Sequence, residues 1–396
     1  MTNPGDLSRL HYMDAMRSVL MLLGVVLHSA RPYDSTDWPV KDAQTNVILD
    51  GLTWTVHLFR MPAFFVVAGF FAMFLLFRRP AAFFLRERMA RVGIPLLATL
   101  LSVNVLQSWY LGRSETATLS EFVERVLIPY WWSGGLIGHL WFLVCLAVYF
   151  LIVATFAPTM RRMAARQDAG ASTRDTAFTF YLMLVTAILA RLALGAVSKL
   201  AAGKLDLVIF GLASTSVILF YLPFFAVGAV LCARPKMLDR FARHDLSVIV
   251  PGLCAALVVY LTQGHEDIAT KSLHIVSRSL LVWMTIRVVF SLFRRWANAP
   301  SRSFRYLSDA SYSIYLFHHL VVVVVASMLL PVAIDAWAKF LIVLSSASIV
   351  SLAVHHFLIL RYGWLRYLFN GRAMGRGRAG YPAPNLSVTP TPPCPP

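Results

Sequence analysis

Charged residues are scarce in this chain, and their scarcity excludes a water-soluble domain. Asp, Glu, Lys and Arg make up 14% of the 396 residues, against about 25% in soluble domains. Hydrophobic residues make up 58%, and the mean hydropathy is +0.66. Because each span needs about 20 apolar residues, we predict an all-α polytopic membrane protein with about ten transmembrane helices. The expected spans cover residues 13–31, 56–77, 91–111, 138–157, 178–198, 212–232, 246–262, 273–293, 311–330 and 336–358.

Cysteines and intramembrane carboxylates are also nearly absent. The four cysteines lack the spacing of a disulfide framework or a metal site, so we expect no metal. Asp14, Asp309 and Asp335 lie only at the ends of predicted spans. A proton pump built on buried carboxylates is therefore disfavoured, and the cations left inside the spans favour an anionic cargo. The chain has no evident internal repeat, which weakens the case for an inverted-repeat transporter.

Basic residues outnumber acidic ones, with 36 Lys and Arg against 19 Asp and Glu. Most of the basic residues precede the first span, follow the last span or fall in every second gap between spans. The positive-inside rule therefore predicts that both termini are cytoplasmic. The net charge of +17 follows mainly from this topology, with some attraction to anionic lipid in the bilayer. Nucleic-acid binding is disfavoured, because the basic residues form no single patch.

The composition divides the chain into three parts. Residues 1–12 form a cytoplasmic N-terminal segment, and residues 13–361 form the transmembrane domain. Residues 362–396 form a basic, Pro-rich cytoplasmic tail. We expect this tail to be disordered from about residue 371, because it cannot bury enough apolar surface to fold.

The first span contains two cationic or titratable groups, Arg17 and His28. Eleven steps of 100° place His28 within about 20° of Arg17 around the helix, so both project from one face, about 16 Å apart. Asp14 lies three residues before Arg17 and can pair with it. A snorkelling arginine and a packed histidine explain this pattern as well as a site does. As a functional pair, Arg17 would bind an anion and His28 would act as a general base or an acylated nucleophile.

Other histidines and arginines lie within or at the ends of later spans. Each either anchors a helix at the interface, packs against a neighbour, or holds a sugar or anionic group. They are His57 and Arg60 in the second span, His139 in the fourth, Arg278 in the eighth, and His318 and His319 in the ninth. The cytoplasmic end of the third span carries Arg88 and Arg91, three residues apart. Such a pair can clamp phosphate groups, although a plain positive-inside cluster explains it equally well.

Several motifs in this order resemble the membrane-bound acyltransferase-3 family. The family's first-span Arg-x10-His corresponds to Arg17 and His28, and its cytoplasmic Arg-x-x-Arg corresponds to Arg88 and Arg91. Three further family patterns, Phe-Phe-x-x-Ser-Gly-Phe, His-Leu-Trp-Phe-Leu and Ser-Tyr-x-Ile-Tyr-Leu-x-His, are similar to residues 64–70 (with Ala68 in place of the serine), 139–143 and 311–318. The resemblance extends over residues 11–370.

Within this family, the chain is most similar to the subgroup that succinylates osmoregulated glucans. The resemblance implies a transmembrane O-acyltransferase of the bacterial inner membrane. It would move an acyl group, succinyl rather than acetyl, from cytoplasmic acyl-CoA to glucose hydroxyls of periplasmic glucans. Acyl-CoA would be a co-substrate, no cofactor would stay bound, and other glucan-synthesis proteins would be partners. The implied site consists of His28 and Arg17 for catalysis, Arg17, Arg88 and Arg91 for acyl-CoA, and His57, Arg60, His139, Arg278 and His318 for the substrate.

A transporter or flippase for an anionic glycan or lipid-linked sugar is the alternative function. Such a protein would tolerate the loss of His28 if that side chain only packs, and it would need no acyl-CoA. An acyltransferase would lose ester formation with His28→Ala while still inserting into the membrane.

Overall fold

A computed structural model of the chain describes residues 10–166, 173–200, 207–243 and 246–372. Most of these residues are helical, and the described part has one small antiparallel sheet formed by β1 (Val208–Ile209) and β2 (Ala213–Ser214). The α-helices are α1 His11–Ala30, α2 Val47–Arg78, α3 Ala81–Thr99, α4 Val105–Gly112, α5 Leu119–Glu121, α6 Ile128–Trp132, α7 Trp141–Thr155, α8 Ala157–Arg166, α9 Thr173–Leu200, α10 Thr215–Ala233, α11 Pro235–Phe241, α12 Leu246–Leu261, α13 Ile268–Trp296, α14 Arg302–Leu329, α15 Ala336–Ala353 and α16 Gly363–Asn370. Two 3₁₀ segments cover Arg31–Tyr33 and Gly138–Leu140, and three π-helical segments cover Leu100–Asn104, Phe122–Leu127 and Val354–Ile359.

Eight helical stretches within the described residues are long and apolar enough to cross a membrane. They coincide with eight of the predicted spans and confirm an all-α polytopic membrane protein. The other two predicted spans, 178–198 and 246–262, are also helical, but their apolar parts are shorter, covering Tyr181–Leu194 and Val248–Leu261. That these two helices cross the membrane, and that both termini are cytoplasmic, stay predictions. The outer parts of the predicted terminal segments, residues 1–9 and 373–396, lie outside the described residues.

Large apolar side chains cover the outer surface of the bundle. On α12, for example, Leu253 is 67% exposed and Tyr260 is 74% exposed. A soluble protein rarely presents so much contiguous apolar surface, whereas a helix that faces lipid does so as a rule. The outer face of α12 is therefore suited to contact with lipid.

The third predicted span begins earlier than the apolar pattern indicates. α3 starts at Ala81, so only Arg79 and Pro80 separate it from the end of α2. Arg88 and Arg91 consequently lie on a helix, one turn apart, and not in a loop between spans. Arginine has a high helix propensity, so a helix can continue past the hydrocarbon even where the sequence becomes basic.

Two glycines allow the backbones of α2 and α10 to approach each other closely. A Cβ atom on Gly69 of α2 would overlap the carbonyl oxygen of Phe225 on α10. A Cβ atom on Gly228 of α10 would overlap the carbonyl oxygen of Val66 on α2 in the same way. Small residues at such crossings let membrane helices gain van der Waals contact that larger residues prevent. This crossing fixes the position of α2, which carries part of the site described below.

We expect Gly69→Ala and Gly228→Ala each to lower the stability of the folded protein by about 1–3 kcal/mol, because the added methyl group forces the helices apart. Thermal unfolding of the purified protein in detergent measures this effect. The matched control is Gly51→Ala, also on α2, where a Cβ atom has nothing within 4 Å. That control should be neutral or should stabilise by up to about 1 kcal/mol. Unfolding of the Gly69 and Gly228 variants at or above the wild-type temperature would contradict the proposed role of the crossing.

Candidate active site

Four histidines from three parts of the chain form one cluster, here called the histidine cluster. His28 lies in the last turn of α1, His139 precedes α7, and His318 and His319 lie in α14. The centroid of the His28 ring lies 5.0 Å from that of His319, 5.3 Å from that of His318 and 6.5 Å from that of His139. The rings of His139 and His319 stack with their centroids 4.7 Å apart. The structure thus brings together three of the predicted site residues, His28, His139 and His318, and adds His319.

Hydrogen bonds fix the tautomers of the two histidines on α14. His318 Nδ1 lies 3.0 Å from the carbonyl oxygen of Ile314 and 2.8 Å from that of Tyr315. Because a carbonyl oxygen can only accept, His318 Nδ1 carries a proton and Nε2 is left as the basic nitrogen. His319 Nδ1 lies 2.7 Å from Oε1 of Gln107, a buried residue on α4, and donates to it. Both rings are therefore held in one orientation.

Three ring nitrogens of the histidine cluster have no hydrogen-bond partner among the described residues. They are His28 Nδ1, His139 Nε2 and His318 Nε2, and all three atoms are buried. Buried polar atoms are nearly always paired, so three unpaired nitrogens in one cluster indicate a place for a ligand or water. Neutral imidazoles in such a place can accept or donate a proton. Within the described ranges, no group of three or more His, Cys, Asp or Glu side chains has the arrangement of a metal site.

The segment before α7 is shaped to present His139. Gly138 adopts a left-handed conformation with φ of +47°, which favours glycine, and this turn directs the next residue into the bundle. Asn104, at the end of a π-helical segment, donates from Nδ2 to the carbonyl oxygen of Leu136 at 2.8 Å. The Tyr315 hydroxyl donates to the carbonyl oxygen of His139 at 2.6 Å. π-helical segments often occur at functional sites because they redirect side chains from the helical pattern.

The loop between α1 and α2 folds back over the histidine cluster. Asp34 is fully buried, accepts hydrogen bonds from the backbone nitrogen and the hydroxyl of Thr36, and pairs with Lys41 at 3.5 Å. The half-buried ring of Trp38 lies 5.5 Å from that of His319, measured between centroids. The loop therefore places one aromatic face between the cluster and the exterior.

A buried ion pair joins this loop to α15. Lys339 Nζ lies 2.6 Å from Asp42 Oδ2, and the two residues are 2% and 5% exposed. Asp42 also accepts a hydrogen bond from the backbone nitrogen of Gln44 at 2.9 Å. Removing the charge of either residue would leave the other residue buried with an unpaired charge.

We expect Lys339→Met or Asp42→Asn to destabilise the folded protein by about 3–5 kcal/mol, because each leaves one buried charge unpaired. The double variant Asp42→Leu, Lys339→Met should recover much of this loss. Thermal unfolding in detergent measures the effect, with Lys271→Met as the control. Lys271 forms an exposed pair with Glu266, and such pairs contribute about 1 kcal/mol at most. Equal effects of Lys339→Met and Lys271→Met would show that the loop is held by other contacts.

Three predicted arginines lie close together at the other end of α1 from the histidine cluster, and are here called the arginine cluster. Arg17 lies over the Phe71 ring, with its Cζ 5.6 Å from the centroid, and donates to Ser308 Oγ at 2.8 Å. Arg88 donates from Nη2 to the carbonyl oxygen of Phe71 at 2.8 Å. Its charge interacts electrostatically with those of Arg17 and Arg91. The three guanidinium groups thus form one positive region.

Carboxylates offset only part of this positive region. Asp14 lies 3.8 Å from Arg17, which confirms the expected pair, and Glu87 lies 2.7 Å from Arg91. Arg88 forms no ion pair with any described residue, and its Nε atom is buried without a partner. The arginine cluster therefore keeps a surplus of positive charge, as a phosphate-binding site requires.

The short helix α16 packs against the arginine cluster. Gly371 ends it in a left-handed conformation with φ of +59°, and a Cβ atom there would overlap the backbone of Ala90 and Arg91. The next residue, Arg372, donates to Asp309 Oδ1 at 2.8 Å. Its charge also interacts with that of Arg17. The C-terminal end of the described chain thus adds a fourth cation at this end of the bundle.

One helix connects the two clusters. Arg17 and His28 both lie on α1, and both face α2 and α14. Arg17 contacts Phe71 on α2 and Ser308 on α14. His28 lies beside Arg60 on α2 and against His318 on α14. The prediction that both side chains project from one face of the first span is therefore confirmed.

Two predicted substrate-binding residues lie outside the histidine cluster. His57 and Arg278 are exposed, and the charge of His57 interacts with those of Arg31, Arg60 and Arg278. His57 and Arg60 are three residues apart on α2, but only Arg60 points inward, being 7% exposed. Whether His57 and Arg278 bind a substrate stays a prediction.

Several residues that shape the site were not predicted from the sequence. His319 lies beside His318 in the chain, and only one histidine of this pair was required to face the bundle. Gln107 and Asn104 are ordinary polar residues in an apolar span, and the Lys339–Asp42 pair joins positions 297 residues apart. For His319, Gln107, Asn104 and Lys339 the only sequence signal was a polar side chain within a predicted span, and Asp42 lies in the gap between the first two spans.

A buried histidine cluster connected by one helix to a cation cluster is suited to a membrane-embedded group transferase. Such an arrangement suits transfer from a polyanionic donor at one end to an acceptor at the other, with imidazole groups moving the proton.

The chain belongs to the acyltransferase-3 family, whose acyltransferase domain it matches over residues 10–356. Glucans biosynthesis protein C of Escherichia coli strain K12 is 28% identical to it over 393 residues, which is 93% of this chain and 96% of the relative. The proteins of the same name from Escherichia coli strains O17:K52:H18 and O9:H4 have the same identity and coverage. No solved structure matches the chain significantly. The protein is therefore a multi-pass membrane O-acyltransferase, and the resemblance of its motifs to this family is confirmed.

Proposed function

We infer that the protein transfers a succinyl group from cytoplasmic acyl-CoA to glucose hydroxyls of a periplasmic glucan in the bacterial inner membrane. The observation that carries this inference is the pairing of the histidine cluster with the arginine cluster on the two ends of α1. Relatives that match the chain over nearly their whole length are named for glucan biosynthesis, which supports a glucan as the acceptor. The family supports an acyl donor rather than a transported glycan.

The arginine cluster is suited to the phosphate groups of coenzyme A. Arg17, Arg88 and Arg91 carry a surplus of positive charge, and guanidinium groups bind phosphate through paired hydrogen bonds. With the phosphates held there, the pantetheine arm would lie along α1 and bring the thioester towards His28. The distance between the two ends of this path is about 16 Å along the helix axis, by 1.5 Å per residue.

The histidine cluster is suited to the transfer step itself. A glucose hydroxyl attacks the thioester carbonyl carbon, and His28 accepts the hydroxyl proton as the new C–O bond forms. The tetrahedral intermediate collapses with cleavage of the C–S bond, and the proton passes from His28 to the departing thiolate. The products are a glucan ester and free coenzyme A. His318 and His139 would hold the reacting groups through Nε2 atoms that have no partner among the described residues.

Transfer of radiolabel from acyl-CoA to glucan tests this proposal. Purified protein in nanodiscs would receive a neutral glucan with labelled succinyl-CoA or labelled acetyl-CoA at equal concentration. We expect labelled glucan ester to form faster from succinyl-CoA. Preferential transfer from acetyl-CoA would keep the reaction and contradict the succinyl assignment. No transfer from either donor by a folded protein would contradict the proposed reaction and favour transport of an anionic glycan.

A further inference from the structure

Arg60 is a buried cation without a counter-charge. It lies in the middle of α2, is 7% exposed, and forms no hydrogen bond or ion pair with any residue in the described ranges. Its Nε atom is buried and unpaired. Taking a charge out of water without a partner costs several kcal/mol, and more so inside a membrane protein. Ionisable residues kept inside a membrane protein in this way mark candidate binding sites, where a ligand can neutralise the charge.

Among the described residues, no carboxylate interacts with the charge of Arg60. The groups whose charges interact with it are His28 and His318 of the histidine cluster, His57 on the same helix, and the phenols Tyr315 and Tyr221. All of these are neutral in their ordinary states. The guanidinium group therefore lies close enough to the histidine cluster to interact electrostatically with His28 and His318.

The packing of α1 against α2 is shaped around this guanidinium group. Gly24 lies one turn before His28 on α1, and a Cβ atom there would overlap Nη1 of Arg60. Any other residue at position 24 would displace the guanidinium group of Arg60 from this position. Two adjacent helices are thus arranged to keep one uncompensated charge close to the reacting atoms.

We propose that Arg60 binds the free carboxylate of a dicarboxylic acyl donor and so selects a succinyl group over an acetyl group. This proposal rests on the proposed acyl transfer. In a succinyl thioester, two methylene groups separate the free carboxylate from the reacting carbonyl, so a carboxylate on Arg60 leaves the thioester beside His28. A glucose hydroxyl would leave the charge of Arg60 uncompensated, whereas a carboxylate pairs with the guanidinium group through two hydrogen bonds. The phosphates of coenzyme A would lie about three helical turns further along α2, where Phe71 marks the arginine cluster.

The test compares two donors in two variants. Arg60→Gln and wild type, in nanodiscs with a neutral glucan, would be assayed separately with succinyl-CoA and acetyl-CoA. We expect Arg60→Gln to lower kcat/KM for succinyl-CoA by about 10–100-fold, the effect of losing a charge-assisted hydrogen-bonded pair. The value for acetyl-CoA should change less than about threefold, because acetyl has no carboxylate. Lys271→Gln, which removes an exposed cation on α13, is the control and should leave both values unchanged.

Two further measurements distinguish ligand binding from a structural role. We expect Arg60→Met to raise the unfolding temperature of the ligand-free protein, because it removes a buried unpaired charge, whereas loss of a structural residue would lower it. Succinyl-CoA should raise the unfolding temperature of wild type more than acetyl-CoA does, and this difference should vanish in Arg60→Met. Gly24→Ala should reproduce the loss of succinyl preference, and Gly51→Ala should not.

Equal losses with both donors would overturn the proposal and assign Arg60 to the oxyanion of the transition state. An unchanged succinyl preference would also overturn it. If wild type transfers an acyl group from neither donor, the proposed function fails. The thermal stabilisation by succinyl-CoA and acetyl-CoA then still tests whether Arg60 binds a carboxylate. In that case, equal thermal stabilisation of wild type by succinyl-CoA and acetyl-CoA would overturn the carboxylate site as well.

Discussion

Replacing His28 with alanine is expected to lower kcat/KM for acyl transfer by about 10²–10⁴-fold, the range over which a general base contributes to catalysis. The expectation follows from the place of His28 in the histidine cluster, where its Nδ1 is buried and has no partner among the described residues. The measurement is the rate of labelled ester formation on a glucan by purified protein in nanodiscs. His28→Gln, which keeps a polar side chain of similar size, should be equally inactive because an amide cannot accept the proton.

The control for His28 is His356→Ala, which removes an exposed histidine whose Nδ1 lies 3.4 Å from the Tyr306 hydroxyl, away from the cluster. This variant should retain wild-type activity. Size-exclusion profiles and unfolding temperatures of the variants establish that they are folded. Substantial activity of folded His28→Ala and His28→Gln would contradict the role of His28. Label retained covalently on wild-type protein without an acceptor, and absent from His28→Ala, would show that His28 is acylated rather than acting as a base.

Replacing Arg88 with glutamine is expected to raise KM for acyl-CoA by about 10–100-fold while changing kcat little. Arg88 is the member of the arginine cluster that has no carboxylate partner among the described residues, so its charge is available to a phosphate group. One charge-assisted contact of this kind contributes about 1.5–3 kcal/mol. Because the contact is made equally in the ground state and the transition state, its loss changes KM rather than kcat.

The control for Arg88 is Arg86→Gln, two residues away on α3. Arg86 is exposed and lies over the Phe83 ring, outside the arginine cluster. We expect this variant to keep the wild-type KM. Equal effects of the two substitutions would indicate that general positive charge at the membrane surface attracts the donor, without a specific phosphate contact. A fall in kcat with Arg88→Gln at saturating donor would instead place this residue in the transfer step.

The fold was largely predictable because the bilayer imposes a minimum length and a strict composition on each span. Eight predicted spans match helices that are long and apolar enough to cross a membrane. The helix ends were less predictable. The helix α3 begins at Ala81, ten residues before its predicted span. Arginines have a high helix propensity, so the helix continues beyond the hydrocarbon. Hydropathy marks the limits of the apolar layer, not the limits of the helix.

The candidate site was predictable where helical periodicity determines which residues share a face. The spacing of Arg17 and His28 on one helix gives their common face directly. Contacts between helices are not encoded in this spacing. The stacking of His139 on His319 brings the segment before α7 against α14. It depends on the turn at Gly138 and on the hydrogen bond that Asn104 donates to the carbonyl oxygen of Leu136. Tertiary packing of this kind cannot be derived from the sequence of one span.

His57 and Arg60, which lie in the same predicted span, have different environments in the structure for a physical reason. His57 and Arg60 share one helical face only approximately, since three steps of 100° leave them 60° apart. That difference is enough to put His57 at the exposed rim and Arg60 inside the bundle. Arg278 and His274, four residues apart on α13, also differ in exposure: His274 Nδ1 lies 2.9 Å from the hydroxyl of Thr262, just after α12, whereas Arg278 is exposed.

We propose that the helical bundle takes an acyl group from a donor at the arginine cluster and delivers it to an acceptor at the histidine cluster. Donor and acceptor would approach from opposite sides of the membrane. Proteoliposomes that enclose a neutral glucan and receive labelled succinyl-CoA outside test it most directly, because neither compound crosses the bilayer unaided. The account predicts labelled glucan inside the vesicles with wild type and none with His28→Ala. Labelling only when donor and acceptor are on the same side would contradict it.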